Sequence, residues 1–428
     1  MSAPLRLGIA GLGTVGIGVV KIIQKHADLI AARSGRPVAI TAVTARDRMK
    51  NRDADLSGYA WLDDPMAVAT SDEVDVYLEL VGGDEGVARA SVEAALRAGK
   101  DVITANKALL AMHGQELAEM AEENGALLRF EAAVAGGIPI IKTMTESLAG
   151  NQITRIMGVM NGTCNYILTR MESGGLPYAD VFEEARQLGY LEADPTLDVG
   201  GIDASHKLAI LASLGFGTRV SFEGVEIEGI ERISIDDIRR ARDMGYRIKL
   251  LGIAQMTARG LEQRMSPCLV PADSPLGQLE GGTNMVVVEG DSVGQIVLRG
   301  AGAGEGPTAS AVMSDVIEVA RGVRMPVFGQ PATDLQSPVA ARTAVPAAYY
   351  LRLSLLDKPG ALAKVAQVLG DAGISIHRMR QYDHETGPAP VLIVTHKTTP
   401  DAIDHAIAAL PKTGVIAEDP VELRIEEV

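Results

Sequence analysis

The sequence predicts an α/β protein in three parts: a doubly wound parallel sheet, a central mixed α+β domain and a C-terminal βαββαβ module. Three observations carry this. Short apolar strands alternate with amphipathic helices from Leu5 to about Ala135. From about Gly136 glycine and proline break that rhythm. Beyond "SPVAARTAVPAA" the order strand, helix, strand, then strand, helix, strand, sets in. A chain of 428 residues is expected to hold two or three domains. The division reads as 1–135 for the doubly wound sheet, 136–300 for the central domain, and 301–335 as a return to the first. A linker at 336–348 and a regulatory module at 349–428 complete it.

The N-terminal stretch "LRLGIAGLGTVGIGVVKIIQKH" gives a strand at Leu5–Ala10, a glycine turn and a helix. Gly11, Gly13 and Gly16, with Thr14 and Val15 between the last two, form G-x-G-x-x-G. The first glycine permits the turn, the second lets backbone approach a pyrophosphate, and the third lets helix and strand pack closely. Phosphate then sits at the positive end of a helix dipole. This is the Rossmann fingerprint in its proper context, and it implies NAD or NADP.

"VAITAVT" and "VDVYLELVG" read as the second and third strands, and "EGVARASVEAALRAG" as a helix. "DVITAN", "KALLAMHGQELAEMAEENG" and "ALLRFEAAV" continue as strand, helix and strand. After the second strand, "VTARDRMK" places Arg46 where an NAD enzyme usually carries an acid, with Arg48 and Lys50 close behind. That suits a 2′-phosphate and favours NADP, while Asp47 leaves use of both open. Lys107 begins a helix at the carboxyl edge of the sheet, where its charge opposes the dipole and where reacting groups gather.

In the central part, "GYLEADPTLDVGGIDASHKLAIL" sets Glu192, Asp194, Asp198 and Asp203 ahead of Lys207. On a helix from about Gly201 to Leu214, stopped by Gly215, the residues Asp203, Lys207, Ile210, Leu211 and Leu214 share a stripe about 100 degrees wide. A charged pair on a stripe that must face inward points to a polar pocket, because desolvating both charges costs several kcal/mol. Acids beside lysines suit a zwitterionic ligand. A metal cluster is the rival, weakened because His206 falls off the stripe without a second histidine or cysteine at ligand spacing. Farther on, Gly300, Gly302, Gly304 and Gly306 precede a helix expected to start at Pro307, a second N-terminus suited to an anion.

A net charge of −15 argues against nucleic-acid or anionic-membrane partners. Cys164 and Cys268, far apart, support neither a disulfide framework nor a zinc site. With no leader and no apolar run of spanning length, the chain is expected in the cytoplasm.

Taken together, "GLGTVG", "VITANKALLA", "EAAVAGGIPI", "NGTCNYILT", "EADPTLDVGGIDASHKLAILA" and "GAGEGPTASAVMSD" resemble the motifs of homoserine dehydrogenases, in order along the chain. The tail "LLDKPGALAKVAQVLGDAGISI" resembles an ACT domain, the amino-acid-sensing module of the single-function form. The resemblance implies interconversion of L-aspartate 4-semialdehyde and L-homoserine with NAD(P)(H), on the route to threonine and methionine. It makes Lys207 the catalytic proton donor, Lys107 its assistant, and Glu192, Asp203 and Asp198 the substrate-binding acids. Gly189 and Gly304 match cofactor contacts. Glu131, Val134, Gly136 and Ile138 match a sodium-binding loop that works mainly through backbone carbonyls. A homodimer or homotetramer and a threonine effector bound near Asp357–Ala361 are also implied. Cys164 departs from the family pattern, in which a threonine is expected. A catalytically silent amino-acid sensor and another NAD(P)-dependent amino-acid dehydrogenase are the alternatives.

Overall fold

The computed structural model describes residues 3–191, 194–341, 345–382 and 387–427. The N-terminal elements are β1 (Leu5–Ala10), α1 (Thr14–Ser34), β2 (Val38–Thr44), β3 (Ala60–Trp61), α2 (Pro65–Thr70) and β4 (Val76–Glu79). They continue as α3 (Val87–Arg97), β5 (Asp101–Thr104), α4 (Lys107–Glu123) and β6 (Leu128–Arg129). All six strands are parallel, in the order β3-β2-β1-β4-β5-β6. Reversal of winding between β1 and β4 opens the crevice at which such sheets bind dinucleotides. Three strands are shorter than their sequence patterns predict, β4, β5 and β6, and β3 carries no pattern at all. Buried strand ends and the loops beyond them are equally apolar, so hydropathy alone does not mark the boundary.

The central elements are α5 (Ile140–Lys142), β7 (Ile153–Val159), α6 (Gly162–Gly174), α7 (Tyr178–Gln187), α8 (Pro195–Val199) and α9 (Ile202–Phe216). After them come β8 (Val225–Ile227), α10 (Ile235–Asp243), β9 (Tyr246–Thr257), β10 (Gly260–Pro271), β11 (Thr283–Gly290), β12 (Gly294–Ala301) and α11 (Glu305–Ala320). Helix α9 runs two residues past its predicted end. Gly215 lies within it, where a Cβ would come 2.7 Å from Ile156, and the true stop is Gly217 at φ +64. Glycine was read as a stop there, but close approach to β7 is what requires it. Helix α11 begins at Glu305, so Pro307 is its third residue and not its first as predicted. It returns to the cofactor domain: a Cβ on Gly18 of α1 would lie 2.8 Å from Ala309, and Lys21 meets Glu305 at 3.1 Å.

The C-terminal module is β13 (Ala348–Leu355), α12 (Ala361–Asp371), β14 (Ile376–Gln381), β15 (Ala389–Thr395), α13 (Pro400–Ala409) and β16 (Ile416–Ile425). Its sheet is not separate. The order β12-β11-β7-β9-β10-β16-β13-β15-β14 runs through both domains, because β16 pairs in parallel with β10 at Cys268–Arg424 and Leu269–Ile425. The segment read as a linker is tied down as well. Leu261 N–H donates to Val339 O at 2.8 Å, and Ala341 N–H donates to Leu261 O at 2.9 Å. At this seam Glu426, 4% exposed, accepts from Arg424 at 2.7 Å, from Arg155 at 2.5 Å and from Arg264.

Candidate active site

Four local structures converge on one cleft of about 430 Å3, whose lining includes Lys107, Asn161, Asp198, Asp203, Lys207 and Asn284. The start of α4 supplies Lys107. The Asn106 side chain caps that helix by accepting from Leu109 N–H at 3.1 Å, which fixes where the first turn begins. The end of β7 leads through Met160 to Asn161, which caps α6 by accepting from Cys164 N–H at 2.8 Å. Helix α9, entered through Gly201 at φ +82, supplies Asp203 and Lys207 one turn apart. Strand β11 supplies Asn284.

Asp203 joins the two lysines. Its Oδ1 lies 2.9 Å from Lys107 Nζ and its Oδ2 lies 2.8 Å from Lys207 Nζ, so one carboxylate spans from the cofactor domain to α9. Asp203 and Lys207 are 12% and 11% exposed at the side chain, Lys107 31%. Burial alone would raise the Asp203 carboxyl, but the Lys207 and Lys107 ammoniums hold it well below the usual carboxylate range. Asn161 Nδ2 donates to Asp203 Oδ2 at 3.3 Å and to Asp198 Oδ1 at 3.1 Å. Lys207 Nζ also donates to Met160 O at 2.9 Å. Burial lowers the basicity of His206, whose ring packs 4.4 Å from that of Phe222. Among the described residues no group of three or more acids, histidines and cysteines could hold a metal. What the cleft does assemble is acids beside lysines, Asp198 and Asp203 with Lys107 and Lys207.

The structure brings Lys107, Lys207, Asp203 and Asp198 together with Gly189, Gly136 and Val15 on the cleft wall. Glu192 lies outside the described residues. Gly11 and Gly16 make the tight turn, since a Cβ would lie 2.3 Å from Leu80 O and 2.0 Å from Gly11 O respectively. Nothing lies within 4 Å of a Cβ on Gly13, and Thr14 beside it is exposed. That leaves an open cradle over the N-terminus of α1, fit for a pyrophosphate. Gly304, at φ +121, caps α11, while Gly302, Ala303 and Thr308 beside it line the cleft. Arg46 is exposed, two residues beyond β2, and is not part of this cleft's lining.

Sequence reasoning missed several residues. Arg52 Nε donates to Leu12 O at 3.0 Å, and its guanidinium and that of Arg48 lie over the Trp61 ring. Asn161 was legible as a helix cap, but its bonds to two acids were not. Asn284 sits in a strand with no local signal. Cys164, fully buried, directs Sγ to Asp198 O at 3.2 Å, a place a threonine hydroxyl could fill. Glu131 accepts from Ile141 and Lys142 N–H, each at 2.9 Å, so its side chain is taken up in holding α5. A larger groove of about 780 Å3 lies at the domain seam, lined by β8, α13 and β16 residues, and shares none of these groups.

Two lysines held by one ionised carboxylate in a half-closed cleft can polarise a carbonyl and deliver a proton to it. Comparison with known proteins agrees. Residues 139–317 match the family model described as homoserine dehydrogenase, residues 11–131 match its NAD-binding domain, and residues 349–412 match the ACT domain. The chain is 42% identical to a homoserine dehydrogenase of Pseudomonas aeruginosa and 40% identical to one of Bacillus subtilis. Those alignments cover 99% of this chain and 99% and 98% of the relatives. A crystal structure of a homoserine dehydrogenase from Thiobacillus denitrificans superposes with TM-score 0.94 at 39% identity, covering 99% of each chain. A hyperthermophilic archaeal homoserine dehydrogenase in complex with NADPH superposes with TM-score 0.64 at 28% identity, over 75% of this chain and 99% of that one. The chain therefore belongs to the homoserine dehydrogenase family of NAD(P)-dependent oxidoreductases, in the form that carries a C-terminal ACT domain.

Proposed function

We propose that Lys207 is the proton donor for reduction of L-aspartate 4-semialdehyde to L-homoserine, and its acceptor in reverse. The supporting observation is the Lys107–Asp203–Lys207 chain of contacts at 2.9 and 2.8 Å. A lysine ammonium has three N–H groups. Among the described residues that of Lys207 donates to Asp203 and Met160 O, which leaves one for the reacting oxygen. Lys107 stands nearer the cofactor domain and adds positive field to the same oxygen. Asp203 keeps both ammoniums in place. Asp198 and Asp203, with Glu192, suit the substrate ammonium.

NAD(P)(H) supplies or accepts the hydride when bound. Gly11, Gly13, Thr14, Val15 and Gly16 suit its pyrophosphate, and Gly189 and Gly304 would, by the family pattern, make further contacts with it. Arg46 beyond β2, with Arg48 and Arg52 over Trp61, favours NADP, because guanidinium groups suit a 2′-phosphate. The NADPH held by the archaeal relative is in keeping with that. A sodium ion would rest on backbone oxygens of the loop 131–138, which bends through Ala135 and Gly136 at φ +56 and +52. Glu131 and Val134 would offer carbonyls. That of Ile138 already accepts from Ile140 N–H at 2.8 Å and has only its second lone pair to give.

Threonine is the proposed effector, at the turn Asp357–Ala361, where a cavity of about 270 Å3 opens. The assembly is a homodimer or homotetramer in the cytoplasm, and the proposed domain division is the one given above, with the linker pinned to β10 at Leu261. Among the described residues no helix is long and apolar enough to cross a membrane. Steady-state rates with both cofactors test the reading, using aspartate semialdehyde, homoserine and aspartate, with and without threonine. NADP-dependent turnover of the semialdehyde supports it. Ammonia-dependent turnover of aspartate would transfer the site to another amino-acid dehydrogenase. Cofactor binding without any turnover would make the chain a silent sensor.

A further inference from the structure

Asn284 is 1% exposed and lines the cleft beside Gly302 and Lys207. Its Nδ2 donates to Met160 O at 3.0 Å, the same carbonyl that accepts from Lys207 Nζ at 2.9 Å. Because that partner can only accept, the amide has one sensible orientation, and the opposite atom must be Oδ1. Oδ1 is buried and has no hydrogen-bond partner among the described residues. The amide fills space that only a glycine at 302 leaves open, for a Cβ there would come 2.4 Å from Oδ1 and 2.1 Å from Nδ2. An acceptor buried without a donor is costly, and one that sits at a functional cleft calls for a partner that arrives with the ligand.

We infer that Asn284 Oδ1 accepts a hydrogen bond from an N–H group of a bound ligand and thereby sets the ligand's position against Lys207. The inference rests on reading the cleft as a dehydrogenase site. Two ligand groups of that reaction carry such a donor: the carboxamide of the nicotinamide ring and the ammonium of the amino-acid substrate. Gly302 and Ala303, next to Asn284, belong to the loop that leads into α11 on the cofactor side. Asp203 and Asp198 lie on the other. Asn284 stands where the two ligands meet, and its fixed amide would hold one of them at a set distance from the proton donor.

Asn284→Leu removes the acceptor at similar size, and Asn284→Asp keeps an oxygen there. Calorimetric titration with NADP and with its 3-acetylpyridine analogue, which lacks the carboxamide N–H, separates the two sources without requiring turnover. If the carboxamide is the donor, Asn284→Leu weakens NADP on the order of tenfold and leaves the analogue unchanged. If the ammonium is the donor, NADP binding is unchanged and the homoserine KM rises on the order of tenfold. Asn284→Asp, which should lose less than Asn284→Leu on the affected ligand, carries the test where the leucine variant does not fold. All constants within twofold of wild type, or an equal loss in both variants, would overturn the inference. A wild-type enzyme that binds NADP yet reduces no semialdehyde would overturn the functional reading instead, while the cofactor arm still answers for Asn284.

Discussion

Replacing Lys207 by methionine removes the proposed proton donor and keeps most of the side chain's bulk. Two contacts disappear, at 2.8 Å to Asp203 and 2.9 Å to Met160 O. Neither partner is stranded: Asp203 keeps Lys107 at 2.9 Å and Met160 O keeps Asn284 at 3.0 Å. The stability loss should therefore stay near one ordinary charged hydrogen bond, about 2 kcal/mol, well short of the 3–5 kcal/mol of a broken buried pair. Loss of general-acid catalysis is typically 10²–10⁴-fold, about 3–5 kcal/mol of barrier. The expected result is a kcat for NADPH oxidation with aspartate semialdehyde reduced by that factor, with the NADPH dissociation constant within about threefold by fluorescence titration. Lys207→Arg keeps the charge but not a transferable proton, so it should not restore the rate. A methionine variant with kcat within tenfold of wild type would mean that the proton comes from elsewhere and that Lys207 merely orders Asp203.

Gly13→Ala should fold as wild type, since its φ of −80 suits alanine and the space is open, yet weaken NADPH on the order of tenfold or more. Unchanged affinity by the same titration would remove the pyrophosphate from that turn. Glu426→Gln should lower stability by about 3–5 kcal/mol in urea unfolding, because three guanidiniums lose their common carboxylate. Burial raises that carboxyl, but Arg264, Arg424 and Arg155 outweigh it and depress it. Its stabilisation is thus full above the ordinary carboxylate range and lost as pH falls through and below that range. A loss under 1 kcal/mol in Glu426→Gln would show that the seam does not rely on it.

Lys249, 3% exposed, donates to Asn165 Oδ1 at 2.9 Å and to Leu279 O, and burial brings its pKa down to about 8. From pH 8 to about 10.4, the ordinary lysine value, the unfolded chain binds more protons, so stability should rise with pH there. Lys249→Met should flatten that rise. An identical pH profile in the variant would contradict the buried charge.

The first domain was largely legible, because a strand, three glycines and a helix obey one spacing rule and the sheet repeats it. So was the inward stripe of α9, since Asp203 and Lys207 share a turn. What the sequence could not show is long-range. Lys107 reaches Asp203 across 96 positions of chain, and Asn284 meets Met160 across 124. No local pattern encodes such pairings. The C-terminal end of α9 and the start of α11 were misplaced for a related reason: Gly215 and Pro307 serve neighbours distant in sequence, not the helix ends that their residue types usually mark.

The junction of β10 with β16 has a mechanical meaning. From the Asp357–Ala361 turn the ladder runs β13, β16, β10, β9, β7, and β7 leads directly into Met160, whose carbonyl Lys207 and Asn284 share. Strands locked rung by rung cannot slide past one another without breaking hydrogen bonds. A tilt of the ACT module would load the two-residue splice at Cys268 and Leu269 and, like torque along a shaft, the strands that lead to the carbonyl shared by Lys207 and Asn284.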